Sequence, residues 1–302
     1  YAGQNVETVF SESTFINDRQ KAEVSVVKKD KDTLNPLDGG VFGLYAGSDI
    51  KNADGKVVVS KGTLIGKAVT GEDGKAVFTA DLPIGFSYDV KEIQAPEGYV
   101  RNQGDVYSFT FSYTNDSESK VTFTHTFVNE RVNATIRLQK KDAETNQAAP
   151  QGDATLEKAV YGLYAREDIV HPDGATGVIY KAGDRVATLT TDVNGKASVE
   201  NLYLGEYFIK EITPPVGYLA DESEHDLVCS YEGDLTATVE RECVSLEQVK
   251  KQPFEIIKAA NNGETDADLL SGAGFTAYLL SDLTVKEDGS YDFDSAEPVV
   301  IG

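Results

Sequence analysis

The sequence has no methionine and no tryptophan, only two cysteines and three histidines, and far fewer basic than acidic residues. Without a methionine the chain cannot start at its own initiation codon, which implies a piece of a longer protein. Lys and Arg number 28 against 50 Asp and Glu, a formal net charge of −22. So acidic a chain repels nucleic acid and anionic lipid surfaces, so neither is an expected partner. No apolar run approaches the ~20 residues of a membrane-spanning helix, and the start at Tyr1 does not resemble a signal peptide, so no membrane insertion is expected. His125, His171 and His225 form no pair at ligand spacing, and no CxxC occurs. The Asp-rich stretches Asp30–Asp38, Asp49–Asp54 and Asp282–Asp294 lack the DxDxDG order with a closing Glu that a calcium loop requires, and read as solvated loop charge. No metal and no cofactor is expected. Cys229 and Cys243 flank a turn at Tyr231–Asp234; they either close a cross-strand disulfide in an extracellular setting or remain two buried thiols.

What the chain does have is a repeat. TFIND at Thr14–Asp18 returns as TFVNE at Thr126–Glu130, 112 residues later. FGLYA (Phe42–Ala46) returns as YGLYA (Tyr161–Ala165) and, more loosely, as FTAYL (Phe275–Leu279). YDVKEIQAPEGY (Tyr88–Tyr99) is answered by YFIKEITPPVGY (Tyr207–Tyr218), 119 residues on. These periods are too long for a solenoid and suit whole domains in tandem. They divide the chain into the last strand of a preceding repeat (1–20), two complete domains (21–132 and 133–250) and the start of a further repeat (251–302). Within each unit, runs such as AEVSVV, YSFTFSY and KVTFTHTFV alternate with period two and are rich in Val, Thr, Phe and Tyr. Asp54-Gly55, Asp73-Gly74 and Asn194-Gly195 separate them and suit two-residue hairpins. About seven short strands in some 110 residues predict an all-β fold of tandem, immunoglobulin-sized sandwiches.

The same alternation sends three polar residues inward. Ala22, Val24 and Val26 lead in phase to Lys28; Val121, Phe123 and Phe127 lead to Asn129; Phe86, Tyr88 and Val90 lead to Glu92. Lys29 falls on the solvent phase with Ser25. A long charged side chain at a strand end often snorkels to the rim, but here the residue types recur at fixed spacing. The second domain carries Lys140 and Glu211 at the corresponding positions. Burying unpaired charges costs several kcal/mol, so the groups must satisfy one another or titrate. Desolvation favours a neutral, nucleophilic amine and a protonated carboxyl. In contact, Lys28 can attack the Asn129 carboxamide with Glu92 moving the protons.

The strings VVKKDKDTLNPLDGGVFGLYA, YDVKEIQAPEGY and TFVNE together resemble the Cna protein B-type repeat of Gram-positive surface adhesins and pilins. The middle one matches the pilin E-box, Y-x-φ-x-E-x-x-A-P-x-G-Y with φ apolar. The resemblance implies a seven-stranded reverse-immunoglobulin-like sandwich, with an isopeptide bond between Lys28 and Asn129 promoted by Glu92. It implies a structural stalk on the bacterial surface or cell wall, not a turnover enzyme, with neighbouring repeats as partners and host matrix contacted through another region. The alternative is a ligand-binding adhesin whose domains themselves hold matrix or glycan. No LPxTG sorting signal or YPKN-type lysine motif is visible. The second domain departs from the pattern: the asparagine position, eleven residues before Lys258, is Glu247, and the strand around it lacks a clean apolar face. An ion pair of Lys140 with Glu247 or Glu211 is expected there instead, with the two cysteines as a substitute lock. Asn17 and Lys258 are half-sites whose partners lie outside the chain.

Overall fold

A computed structural model describes residues 14, 19–253, 255–260, 271–272 and 274–299. It divides into two compact units, Tyr1–Lys250 and Lys251–Gly302. The first unit is built of β-strands and turns. Its first nine strands are β1 (Lys21–Asp30), β2 (Val41–Ala46), β3 (Ile50–Lys51), β4 (Val57–Val59), β5 (Leu64–Val69), β6 (Lys75–Phe78), β7 (Phe86–Gln94), β8 (Val106–Phe111) and β9 (Lys120–Asn129). They form a three-stranded sheet β6-β1-β9, a four-stranded sheet β5-β2-β7-β8, and the small hairpin β3-β4.

The same plan follows once more. Strands β10 (Asn133–Asp142), β11 (Val160–Ala165), β12 (Ile169–Val170), β13 (Val178–Tyr180), β14 (Arg185–Thr190), β15 (Lys196–Leu202), β16 (Gly205–Thr213), β17 (Glu224–Cys229) and β18 (Thr238–Glu247) build sheets β15-β10-β18 and β14-β11-β16-β17, with the hairpin β12-β13. Seven strands in two facing sheets thus make each sandwich, as the alternating pattern predicts.

Alternation decides what fills each sandwich. Val24, Val26, Phe42, Leu44, Tyr88, Val90, Phe111 and Phe127 meet in the first core; Ile136, Leu138, Tyr161, Leu163, Tyr207, Ile209 and Val239 meet in the second. Each large apolar side chain removed from water contributes roughly 1.5–3 kcal/mol, which offsets the entropy of ordering these short strands. β1 and β9 run parallel, in register from Lys21↔Lys120 to Asp30↔Asn129, and β10 and β18 repeat the arrangement from Asn133↔Thr238 to Asp142↔Glu247. First and last strands of each sandwich are therefore direct neighbours.

The Gly turns do two different jobs. Asp54-Gly55 closes the β3-β4 hairpin, though through a five-residue connection and not the two-residue one expected. Asp73-Gly74 and Asn194-Gly195 instead carry the chain from the four-stranded to the three-stranded sheet, because β5 and β6, like β14 and β15, pair with different strands. Gly74 (φ +70°) also accepts the Lys28 N–H at 2.7 Å, and a Cβ there would lie 2.5 Å from the Lys28 carbonyl oxygen.

In the second unit the described residues form a hairpin of β19 (Thr284–Val285) and β20 (Tyr291–Asp292), a 3₁₀ turn at Leu280–Asp282, and a lone bridge from Ala277 to Val299. The FTAYL motif is not in a ladder, and Phe275 and Leu279 are exposed. Two two-residue strands offer too little facing surface to bury them. Asn17 lies outside the described residues, and Lys258 is exposed. No helix among the described residues is long and apolar enough to cross a membrane.

Candidate functional site

In the first sandwich the inward phases of β1, β7 and β9 converge at one end. Lys28, Glu92 and Asn129 are all buried there. Lys28 Nζ lies 2.9 Å from Glu92 Oε1 and donates a hydrogen bond to Asn129 Oδ1. Asn129 Nδ2 in turn donates to Glu92 Oε1 at 2.9 Å. A single carboxylate oxygen therefore touches both nitrogens that an amide exchange involves. The other oxygen, Oε2, accepts the Asn102 N–H at 3.2 Å. Burial pushes the Lys28 amine below its ordinary value of 10.5, against the opposing pull of the Glu92 charge and hydrogen bond. The Phe42 ring, its centroid 5.8 Å from Nζ, and the Phe127 ring, 4.9 Å from Phe42 centroid to centroid, wall the site with apolar surface.

The arrangement has the parts for one reaction. As a free amine, Nζ is placed to attack Asn129 Cγ, which would break the Cγ–Nδ2 bond and release ammonia. Glu92 Oε1 is placed to take a proton from Nζ and deliver it to Nδ2, general acid–base work by one group at hydrogen-bond range.

The second sandwich holds a different constellation at the same place. Lys140 Nζ lies 2.8 Å from Glu211 Oε1, 2.7 Å from Glu247 Oε1 and 2.9 Å from the Tyr161 hydroxyl. Tyr161 donates to Glu247 Oε1 or Ser245 Oγ, at 3.0 and 2.9 Å, and Ser245 donates to the same carboxylate oxygen at 2.7 Å. Asp221 N–H donates to Glu211 Oε2 at 2.9 Å, the counterpart of Asn102. Glu247 Oε2 is buried without a hydrogen-bond partner. Burial, with the neighbouring carboxylates, pushes the Tyr161 hydroxyl far above its usual range, so it stays protonated and serves as a donor. The strand around Glu247 alternates more regularly than its sequence suggests. Val239, Cys243, Ser245 and Glu247 point inward, while Arg241 leaves the core to donate to the Val228 carbonyl and Glu232.

The cysteines do not form the lock envisaged from their spacing. Both are free, buried thiols. Cys229 ends β17 in the four-stranded sheet and Cys243 lies within β18 of the three-stranded one, so their strands are not ladder neighbours. Burial raises both thiols, Cys243 to about 11, which keeps them protonated and poorly reactive.

Two features were not singled out from the sequence. Tyr99, the last residue of the APEGY string, donates to Asp30 at 2.8 Å, and Tyr218 donates to Asp142 at 3.0 Å, tying the loop after the glutamate to the strand of the lysine. The signal was present, since both the Lys-Lys-Asp and the terminal Tyr recur. The second feature is a cluster of Asp30, His171 and Asp173, whose potential ligand atoms lie within 4.8 Å of one another. One member belongs to the first sandwich and two to the second, so no spacing rule finds it. Both oxygens of each carboxylate already accept hydrogen bonds: Asp30 from Asp32 and Thr33 N–H and Tyr99, Asp173 from Ala175 and Thr176 N–H and from Thr33 and Asn35.

The family described as SpaA: Prealbumin-like fold domain matches the chain twice, over residues 22–127 and 134–242. Together these spans are more than half of the sequence, and the chain belongs to this family. Among solved structures the Bacillus anthracis TIE protein is 22% identical with a TM-score of 0.50, covering 76% of this chain and 34% of that one. The chain thus spans about a third of that protein. The shaft pilin spaA of Lactobacillus rhamnosus GG is 17% identical with a TM-score of 0.30, covering 78% of this chain and 99% of that one. GBS52, the minor pilin of Streptococcus agalactiae, is 18% identical with a TM-score of 0.27 over 78% and 99%. Comparison with curated proteins gives no match.

Proposed function

We propose that the chain is a structural stalk segment of a cell-surface adhesin or pilus-like protein on a Gram-positive bacterium, stiffened by an isopeptide bond between Lys28 and Asn129. The observation that carries this reading is the convergence of Lys28, Glu92 and Asn129 in a buried pocket between the first and last strands of one sandwich. The chemistry is a single event that consumes its own side chains, so the protein is not a turnover enzyme. Membership of a pilin-type fold family supports a structural role. The repeat units 21–132 and 133–250 are its working domains, neighbouring repeats are its partners, and contact with host matrix belongs to another region of the parent protein.

The mechanical logic follows from the parallel pairing of β1 with β9. Tension that enters at Lys21 and leaves at Asn129 crosses the bond and bypasses the chain between, since the bonded residues are 101 apart. By analogy with a disulfide closing a loop of that size, the bond stabilises the sandwich by about 4–5 kcal/mol. Only Glu130–Val132 separate β9 from β10, a link too short to behave as a flexible string. Intact mass with peptide mapping is the test. The expected result is a deficit of one ammonia, confined to peptides that contain Lys28 and Asn129, and abolished by Glu92→Ala. A full-length chain of unreduced mass would overturn the proposal.

A further inference from the structure

All three strands that carry the bond-forming residues run out toward the second sandwich, and the second sandwich grips each of them. Beyond β1, Thr33 Oγ1 and Asn35 Nδ2 donate to Asp173 Oδ2 at 3.0 and 2.9 Å. Beyond β9, Arg131 donates to the Leu202 and Asn201 carbonyls at 2.9 Å and lies 4.0 Å from the centre of the Tyr203 ring. Beyond β7, the Ala95 N–H donates to Asp234 Oδ2 at 3.0 Å and the Arg101 N–H donates to the Asp234 carbonyl at 2.8 Å. Between those two anchors Gly98, at φ +83°, passes so close to Pro172 that a Cβ would sit 2.8 Å from the proline Cβ. The turn at Tyr231–Asp234, which from sequence merely separates two cysteines, is thus part of the joint.

The third grip lies nearest the chemistry. Ala95 is three residues past Glu92, and Arg101 immediately precedes Asn102, whose N–H holds Glu92 Oε2 at 3.2 Å. Asp234 therefore fastens both ends of the loop that seats one oxygen of Glu92 and leaves the other aimed at Lys28 and Asn129. A bond of 3.2 Å has little slack, so a small drift of the loop releases it. A glutamate side chain held at one oxygen only samples more rotamers, and misplacement by about 1 Å is enough to slow a proton transfer strongly.

We propose that Asp234 of the second sandwich is a positioning residue for Glu92, so that folding of the second domain sets the rate at which the first domain closes its isopeptide bond. The inference rests on the proposed function above, and it makes the two domains a sequential assembly in which one completes the other.

The test follows ammonia loss with time by intact mass in freshly translated full-length chain, with protease resistance monitoring folding. Asp234→Ala is expected to fold and to close the bond on the order of tenfold more slowly than the unsubstituted chain. Asp234→Asn keeps a side-chain oxygen for the Ala95 N–H and is expected to restore most of the rate, which general loosening of the joint does not predict. Asp173→Ala loosens the grip on the segment beyond β1 but leaves both Asp234 anchors in place, and is expected to slow closure much less. Equal rates for Asp234→Ala and the unsubstituted chain overturn the proposal, as does an Asp173→Ala defect equal to that of Asp234→Ala. If Asp234→Ala does not fold, the Asn variant decides: a rate below that of Asp173→Ala counts against positioning. An unsubstituted chain that never loses ammonia overturns the proposed function itself, a result distinct from all of these.

Discussion

The two sandwiches share strand order, register and a buried lysine, yet solve the problem of that lysine differently. In the first, Lys28 faces a carboxamide and one carboxylate between two phenyl rings. In the second, Lys140 faces two carboxylates, and the rings are replaced in concert: Phe42 by Tyr161 and Phe127 by Ser245, whose hydroxyls supply hydrogen bonds to Glu247. A neutral amide needs few partners and leaves an apolar wall intact. A carboxylate accepts up to four hydrogen bonds, and a core that takes one in must bring donors with it. The difference teaches that Glu247 is not an isolated lapse from the pattern but one member of a three-residue exchange from an amine–carboxamide site to a buried ion cluster. The exchange is incomplete, because Glu247 Oε2 still lacks a partner.

The comparison breaks most visibly if the first sandwich is denied the proposed bond. Asn129→Ala should leave the full mass and lower stability by about 4–5 kcal/mol, read as a drop in thermal midpoint and faster proteolysis between Lys29 and Val128. In the second sandwich, Lys140→Met removes the cation between two buried carboxylates and should cost about 3–5 kcal/mol. Beyond the mass of the substitution itself no change is expected there, because Glu247 offers no carboxamide to lose as ammonia. The comparison sharpens if the exchange is reversed: Glu247→Asn together with Tyr161→Phe and Ser245→Phe should produce a second ammonia deficit, mapped to Lys140 and residue 247. Glu247→Asn alone, with the hydroxyls left in place, should react more slowly.

A smaller effect distinguishes the lysines by pH. In Asn129→Ala the amine of Lys28 stays free, and its native value lies below the unfolded 10.5 because burial disfavours the charge. Between those two values the unfolded chain binds more protons than the native one, so stability rises with pH across that window. With the proposed bond closed, the unsubstituted protein has no such group, and the difference in denaturation midpoint between the two should narrow as pH approaches 10.5. The smallest effect belongs to the cysteines. Reductant should leave mass and midpoint unchanged, and thiol reagents should label Cys229 and Cys243 only on unfolding.

Much of this was written in the order of residues. Period-two runs gave the sandwiches, since a strand with one buried face must alternate, and the repeat of three motifs set their number. The inward phase of Lys28, Glu92 and Asn129 followed from counting along each strand. Glu247 stood out because the repeat defined what belonged there, and Tyr161 and Ser245 were equally visible to the same alignment. Two of the three turn pairs misled, because a local Asp-Gly or Asn-Gly signal says that the chain reverses but not which sheet receives it.

Only the tertiary structure decided the rest, and for one reason: alternation gives the face a side chain takes, not the partner it meets across the fold. That the cysteines sit on opposite sheets is set by strand pairing. That Glu92 Oε1 touches both nitrogens, that Tyr99 ties back to Asp30, and that Asp234 and Asp173 reach from one domain into the other all depend on chain segments 37 to 140 residues apart. Contacts of that range leave no periodic trace in a sequence, because they are fixed by how two sheets stack and two sandwiches dock.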